Sequence, residues 1–591
     1  MELNIKPETV KKKKDYRKIF RGLLKYVYNE WKMMLVAFIL IMVSNILSLQ
    51  GPKFSGEAID AMGADTGIVN IPLATQNAIK MFLVYLISGI LGYIMTRLMA
   101  RIAQRVIVAM RQDTFDKIVD LPLSYIDTHQ AGDLVSRISY DLDLVNQSIT
   151  HDILTVAASL ITVVGSLSMM ISISPKLSLM FLMLIPFTVL FTIYRIKKTR
   201  PLFSKRSKKL GEMNGYVEEI LFGQKTIQSY EKEEFFSQQF NDRNEESVDA
   251  YYKADYQAAI NGPSVTLITN ISLALVTMFG AILFLNGEFS IGFLSSFILY
   301  SRRFSGPINE IAAIVADLQS ALSALDRVFD LHDQPSEPED KKNAKVLKEV
   351  QGDVIFDRVS FGYSDDQIII EDMSFHVKPG NLTAIVGPTG AGKTTIINLL
   401  MRFYDPQKGS IYIDGNKATD VTRASLRQSF AMVLQDAWLF KGTIRDNIAY
   451  GKEDASLDDI KRVAKACHID HFIESQPLGY DSIIDDGADN ISQGQKQLLT
   501  IARAMLLDAP ILILDEATSN VDSRTEIQIQ DSMNKLIEGR TSFVIAHRLS
   551  TIQNADNIIL IKDGRIAESG THTELLEENG DYANLFNAQF S

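Results

Sequence analysis

Leu382-Thr-Ala-Ile-Val386, then Gly387-Pro-Thr-Gly-Ala-Gly-Lys393-Thr394, then the apolar run Ile396–Met401 decide the fold of the C-terminal half. Five aliphatic or small residues read as a buried strand, and the run after Thr394 reads as a helix packed by its apolar side. Between them stands G-x-x-x-x-G-K-T, in the strand–turn–helix context that a phosphate-binding loop requires. Its glycines let backbone N–H groups close around phosphates at a helix N-terminus. Lys393 would neutralise the β- and γ-phosphates, and Thr394 would ligate Mg²⁺.

The flanks extend this reading. Val354–Tyr363 and Ile368–Val377 are predicted as antiparallel strands. Ile511–Leu514 is an uninterrupted aliphatic run, the pattern of a parallel strand buried on both faces. It ends in Asp515-Glu516, and an acidic residue at such a strand end can hold Mg²⁺ through water. A second carboxylate beside it can act as general base on an attacking water.

The residues before about 320 have a different composition. Apolar runs occupy Met33–Leu49, Met81–Ala100, Ile153–Ile173, Leu177–Ile196 and Val265–Leu285, and a sixth starts at Ile291 and passes Val315. A helix needs about 20 such residues to cross a bilayer core of about 30 Å, so six membrane spans are expected. Basic residues flank them unevenly. Lys11 to Lys14, Arg17, Lys18, Arg21 and Lys25 precede the first span, and Lys197, Lys198, Arg200, Lys205 and Arg206 follow the fourth. The positive-inside rule then places both termini in the cytoplasm, with short outer turns at Pro175 and Asn286-Gly287-Glu288. Arg302 and Arg303 interrupt the sixth run at a depth where a lipid-facing arginine is costly, so they should face a cavity or a helix.

Across 591 residues, 46% hydrophobic and 22% charged residues exclude a disordered chain, and a net charge of −11 argues against a nucleic acid partner. A mean hydropathy of +0.05 is the sum of an apolar half and a polar half. The single cysteine, Cys467, excludes an intrachain disulfide. Cys467, His468 and His471 share one helical turn with no fourth ligand nearby, which favours a helix surface over a metal site.

The second half resembles the nucleotide-binding domain of the ATP-binding cassette (ABC) transporters through an ordered series of motifs. Tyr363 matches the aromatic that stacks on adenine, and Gln435 in Val433-Leu-Gln-Asp436 matches the Q-loop. Ile491-Ser-Gln-Gly-Gln495 resembles the signature Leu-Ser-Gly-Gly-Gln, Ser519-Asn-Val-Asp522 the D-loop, and His547 the switch histidine after a strand Thr541–Ala546. The first half resembles the exporter type, in which inner loops swap onto the opposite nucleotide domain. Leu121–Arg137 looks like the first coupling segment and Asn214–Phe222 like the second.

The resemblance implies an α-helical six-span transmembrane domain (1–325), a linker (326–350) and an α/β P-loop ABC nucleotide-binding domain (351–591). It assigns ATP to Tyr363, to Gly387, Pro388, Thr389, Gly390, Ala391, Gly392, Lys393, Thr394 and Thr395, and to Ser492, Gly494, Gln495 and Asp522. Mg²⁺ falls to Thr394, Gln435 and Asp515, and catalysis to Glu516, His547 and Gln435. Two such domains are expected to enclose ATP between the P-loop of one and the signature of the other, so the chain must dimerise.

Gln493 stands where the signature has its first glycine, and Ile491 replaces leucine. A complete ATP-holding side beside an altered signature implies pairing with a different half-transporter; a homodimer is the alternative. Asp485–Asn490 also departs from the usual pattern before the signature, leaving Asp486 as the candidate coupling residue. The expected function is ATP-driven export of an amphipathic, multidrug-type substrate across the cell membrane. A lipid flippase or peptide exporter of the same fold, or an ATP-gated or regulatory protein, are the alternatives; an intact Glu516 argues against the last.

Overall fold

The computed structural model describes residues 16–590 apart from 64–68, 365–366, 436, 453, 486–489, 516–520 and 547–548. The chain forms two compact units. One comprises the helices up to Gln334; the other comprises Pro335 onward together with the short segment Asp120–Ala131.

Long helices build the first unit. Trp31–Ala61, Ile71–Val119, Ala131–Ile173 and Glu233–Leu285 are long and apolar enough to cross a membrane. The apolar runs beginning at Leu177 and Ile291 lie within helices Pro175–Ser229 and Ile291–His332. The last helix thus continues past 325, into the stretch expected to be linker. Caps define where helices start. Ser174 accepts from Leu177 N at 3.3 Å with Pro175 in the first turn, and Ser290 accepts from Phe293 N at 3.2 Å. The Asp60 carboxylate adds Gly292 N and Ser290 Oγ, each at 2.7 Å. Lys176 and Glu288, paired at 2.8 Å, tie the two short turns together, so both lie at one end of the helical unit. Helix Ile71–Val119 and helix Pro175–Ser229 are far longer than a bilayer core is thick: 49 and 55 residues make about 74 and 83 Å at 1.5 Å per residue.

The segment between Ala131 and Ile153 departs from simple helix. Two π-helical turns, Arg137–Asp141 and Ser148–Asp152, interrupt it. Each inserts an extra residue and re-aims the side chains that follow.

Three sheets organise the second unit. Strands β1 (Val354–Phe361) and β2 (Ile370–Val377) are antiparallel, and with β4 (Lys408–Ile413) and β5 (Asn416–Lys417) form a sheet ordered β2-β1-β4-β5. The central sheet contains β3 (Leu382–Val386), β6 (Phe430–Val433), β9 (Ile511–Asp515), β10 (Thr541–Ile545), β11 (Asn557–Lys562) and β12 (Arg565–Gly570), ordered β12-β11-β3-β10-β9-β6. Between them, β7 (Gly442–Thr443) and β8 (Ile483–Ile484) make a small ribbon. All central neighbours are parallel except the β11–β12 edge, which turns through Asp563-Gly564, both at positive φ.

Strand β9 is covered on both faces. Leu512 and Leu514 pack with Leu498 and Leu499 of helix Gln493–Leu507, whereas Ile511 and Ile513 pack with Ile396 and Leu400 of helix Lys393–Leu400. The first four residues of the strand are 0% exposed, which is why the sequence there has no polar alternation.

Candidate functional site

At the end of β3 the chain turns through Gly387, with φ 152°, and Gly392, with φ 103°. A Cβ on Gly387 would stand 2.3 Å from the Ile561 carbonyl oxygen, so a side chain is sterically excluded there. Gly392 caps helix Lys393–Leu400 in the left-handed conformation. That helix is anchored by Ala391, Thr395, Ile396 and Leu400, all buried, while Pro388, Thr389, Gly390 and Thr394 face outward. The result is a backbone cradle at a helix N-terminus.

Lys393 is held at this cradle. Its Nζ donates to the carbonyls of Gly387 at 2.8 Å and Pro388 at 3.0 Å. Burial pushes its pKa below the ordinary lysine value, and the nearby Asp515 carboxylate opposes that shift. A loop that a side chain would fill, with a cation fastened to it, fits the phosphates of a nucleotide.

Strand register brings the acidic group to the same edge. Asp515 pairs with Ile545, and Ile545 with Ile385, one residue before the last of β3. Asp515 therefore stands at the carboxyl edge of the sheet where the loop leaves, the edge at which parallel sheets bind ligands. Gln435 follows β6, whose Val433 pairs with Leu514, and it is exposed at that edge too. The strand order β3-β10-β9-β6 thus brings the loop, Asp515 and Gln435 together. Glu516 and His547, next in the chain after Asp515 and Ala546, lie outside the described residues, as do Ser519, Asn520 and Asp486.

Tyr363 leans on the same helix. Its hydroxyl donates to Thr395 Oγ1 at 3.3 Å and accepts from Asn398 Nδ2 at 2.9 Å. Phe361 and Tyr404 meet its ring edge to face, with centroids 5.1 and 5.0 Å away. The residue remains 47% exposed, which leaves ring surface for a base to stack on. Tyr404 in turn donates to Asp127 at 2.8 Å, within the unit that includes Asp120–Ala131. So the helix Leu123–Thr128 is held by its own chain.

The signature segment opens helix Gln493–Leu507. Ser492 is its N-cap: Gln495 N donates to Ser492 Oγ at 3.3 Å, and Gln495 Oε1 accepts from Ser492 N at 3.0 Å. Asp522 likewise caps helix Ser523–Ile537, accepting from Arg524 N at 3.1 Å and Thr525 N at 3.0 Å. Those bonds hold its carboxyl below the usual range. Both residues therefore shape helix starts, a role the motif reading did not include.

The two signature positions differ sharply. Gln493 is exposed, whereas a Cβ on Gly494 would meet Thr525 Cγ2 at 2.4 Å and Val521 Cγ1 at 3.0 Å. Within this chain, glutamine fits at 493 because the side chain points away from the packed interface with helix Ser523–Ile537. Gly494→Ala is expected to destabilise by about 1–3 kcal/mol through overpacking, while Gln493→Gly changes stability by no more than about 1 kcal/mol. Thermal midpoints of the full-length chain in detergent distinguish the two.

Motif reading missed a groove of about 450 Å³ beside Gln435, lined by Leu434, Trp438, Tyr450 and Arg503 among others. Arg503 is fixed there by Asn447, through its Oδ1 at 3.2 Å and its carbonyl at 2.9 Å, and lies 5.2 Å from the Tyr450 ring. An exposed tryptophan, one of two in the chain, was the available signal.

Cys467 is buried, and burial pushes its thiol up to about 12. His468 pairs with Asp531 at 2.6 Å, and no metal-holding group occurs among the described residues. Because the thiolate is the nucleophile, Cys467 is expected to resist alkylation by iodoacetamide at pH 8 until the protein is denatured. Mass spectrometry before and after adding denaturant reads this directly.

Two family models match the chain: the ABC transporter transmembrane region over residues 34–308 and the ABC transporter model over residues 370–519. An ABC transporter ATP-binding protein of Bacillus subtilis, YfiC, is 38% identical over 98% of this chain and 95% of its own length. A fatty acid ABC transporter ATP-binding/permease protein of Mycobacterium bovis is 39% identical over 90% of this chain and 83% of its own. An ATP-dependent lipid A-core flippase of Methylobacillus flagellatus is 34% identical over 97% of both chains. Among solved structures, a bacterial Atm1-family ABC exporter with ATP bound superposes with a TM-score of 0.77 at 28% identity, covering 95% of this chain and 98% of that one. With membrane-length helices and a P-loop ATPase unit on one polypeptide, and relatives matched end to end, this chain belongs to the ABC exporters, coupling an ATPase to transport.

Proposed function

We propose that the chain is a six-span half-transporter of the cell membrane with both termini in the cytoplasm. It works as a dimer that exports an amphipathic or hydrophobic molecule. The observation that carries this reading is the shared sheet edge: the loop Gly387–Thr394, Asp515 and Gln435 lie at one carboxyl edge, in a chain whose other unit is membrane-length helices. Lys393 and the loop N–H groups would hold the ATP phosphates, and Tyr363 would stack on the base. Thr394, Asp515 and Gln435 offer the hard oxygen ligands that Mg²⁺ takes, and the ion would neutralise phosphate charge there. Glu516 would polarise the attacking water, and His547 would contact the γ-phosphate. Ser492 and Gly494 would complete the site of the other subunit.

The altered signature at Gln493 supports a heterodimer in which Glu516 of this chain works with the signature of a different half-transporter. The groove lined by Leu434, Trp438 and Tyr450 suits an apolar coupling segment, and Asn214–Phe222 presents the exposed Leu221 and Phe222 to a partner. Drug-like cargo and lipid are both amphipathic; the relatives named for fatty acid and lipid A-core favour the lipid reading. Purification of the chain with its membrane complex, followed by ATPase assay and subunit identification, tests the assembly. A chain purified alone whose ATPase is robust and depends on Glu516 would rule out an obligate heterodimer.

A further inference from the structure

Two arginines stand side by side in helix Ile291–His332, about 16 Å along its axis from Ile291, or about half the thickness of a bilayer core. Their surroundings differ. Arg303 donates from Nη1 to the Ser48 carbonyl at 2.7 Å and lies 5.6 Å from the Tyr85 ring, so it fastens its helix to two neighbours. Arg302 has no hydrogen-bond or ion-pair partner among the described residues, and it lines a cleft between helices Pro175–Ser229, Glu233–Leu285 and Ile291–His332. A guanidinium at that depth with no partner among the described residues is costly and marks a functional position.

The cleft wall is apolar: Phe181, Leu184, Ile185, Leu273 and Phe304, with Phe181 and Phe304 edge to face at 5.4 Å. Thr269, Ser301 and Ser305 also line it, but each donates its proton to a carbonyl of its own helix at 2.9 to 3.0 Å. Donors for a bound anion therefore come from Arg302, with five N–H groups, and from the hydroxyl of Ser272, which has no partner among the described residues. The cavity volume is about 40 Å³. At about 10–15 Å³ per water-sized group, it admits about three such groups. That suits a carboxylate and is too small for a phosphorylated sugar.

Resting on the reading that the chain exports an amphipathic molecule, we propose that Arg302 and Ser272 form the headgroup subsite for a single-chain amphiphile bearing one carboxylate. The first methylenes of the hydrocarbon chain lie against Phe181, Leu184, Ile185, Leu273 and Phe304, and the rest of the chain extends out of the cleft. A bidentate guanidinium–carboxylate pair gives the cation a partner and gives the site its selectivity.

Equilibrium binding tests this without requiring turnover. The full-length chain, purified with any partner and placed in nanodiscs of neutral lipid, is titrated with radiolabelled palmitate, hexadecanol and hexadecyl phosphate. Palmitate is expected to bind more tightly than either analogue. Arg302→Gln should weaken palmitate by about tenfold or more, the loss expected for a charge-assisted hydrogen bond. Hexadecanol should be unaffected. Arg302→Lys, which keeps the charge, should recover part of the affinity, and Ser272→Ala should cause a smaller loss than Arg302→Gln. Equal binding of palmitate and hexadecanol, equal binding of the phosphate ester, or palmitate affinity unchanged in Arg302→Gln overturns the subsite. ATP-driven accumulation of palmitate in inverted vesicles is read separately. Arg302-dependent binding without ATP-driven movement keeps the subsite and rejects export. ATP-driven movement with Arg302-independent binding does the reverse.

Discussion

Glu516→Gln is expected to lower ATP turnover at this chain's site by about 10²- to 10⁴-fold, the contribution typical of a positioned general base. The substitution is nearly isosteric and removes only the proton-accepting charge. The preceding residue, Asp515, closes β9, a strand fully buried up to Leu514 and packed on both faces. Nothing in the loop Gly387–Thr394 changes, and nucleotide should still bind and remain trapped. Lys393→Ala provides the contrast. Its ammonium is anchored to the carbonyls of Gly387 and Pro388, so its removal takes the cation out of the cradle, and ATP binding should fall together with turnover. Measuring nucleotide retention and phosphate release on both variants separates holding from hydrolysis. A Glu516→Gln protein hydrolysing ATP at the unaltered rate would falsify the general-base assignment.

The parts of the site legible in the sequence were those dictated by backbone geometry. A side chain at Gly387 would collide with the Ile561 carbonyl, and a polar residue between Ile511 and Leu514 would be buried without a partner; both constraints leave a mark on residue type. Helix starts were less legible, because Ser, Asp and Gln serve caps and ligands alike. Ser492 and Gln495 satisfy the capping-box pattern as well as the family signature, and Asp522 caps a helix while occupying the D-loop. Arg302 and Arg303 are adjacent and chemically identical in the sequence. Only the neighbouring helices, supplying Ser48 and Tyr85 to one and an apolar cleft to the other, separate their roles. The π-helical turns left no sequence signature at all. One extra residue inside a continuous helix shifts the angular register without any change in composition.

One of those turns has a measurable consequence. Arg137–Asp141 ends by directing Asp141 inward, where its side chain is 3% exposed and meets Arg327 of helix Ile291–His332. Arg327 Nε donates to Oδ2 at 2.8 Å, and Nη2 donates to Oδ1, forming a bidentate pair. The two partners are not equally buried, since Arg327 remains 47% exposed. Removing the arginine strands a carboxylate inside the helical unit, whereas removing the carboxylate leaves a guanidinium that water can reach. Arg327→Met, which keeps the length of the side chain, is therefore expected to cost about 3–5 kcal/mol. Asp141→Asn, which keeps an acceptor for the guanidinium, should cost only about 1–3 kcal/mol. Combining them removes the stranded charge, so the double variant should lose less than the sum of the two single losses, by a coupling of about 0.5–3 kcal/mol. Thermal midpoints of the four full-length proteins in the same detergent give the cycle. If Arg327→Met is no less stable than Asp141→Asn, the pair is a surface contact and the π turn has no part in locking these two helices together.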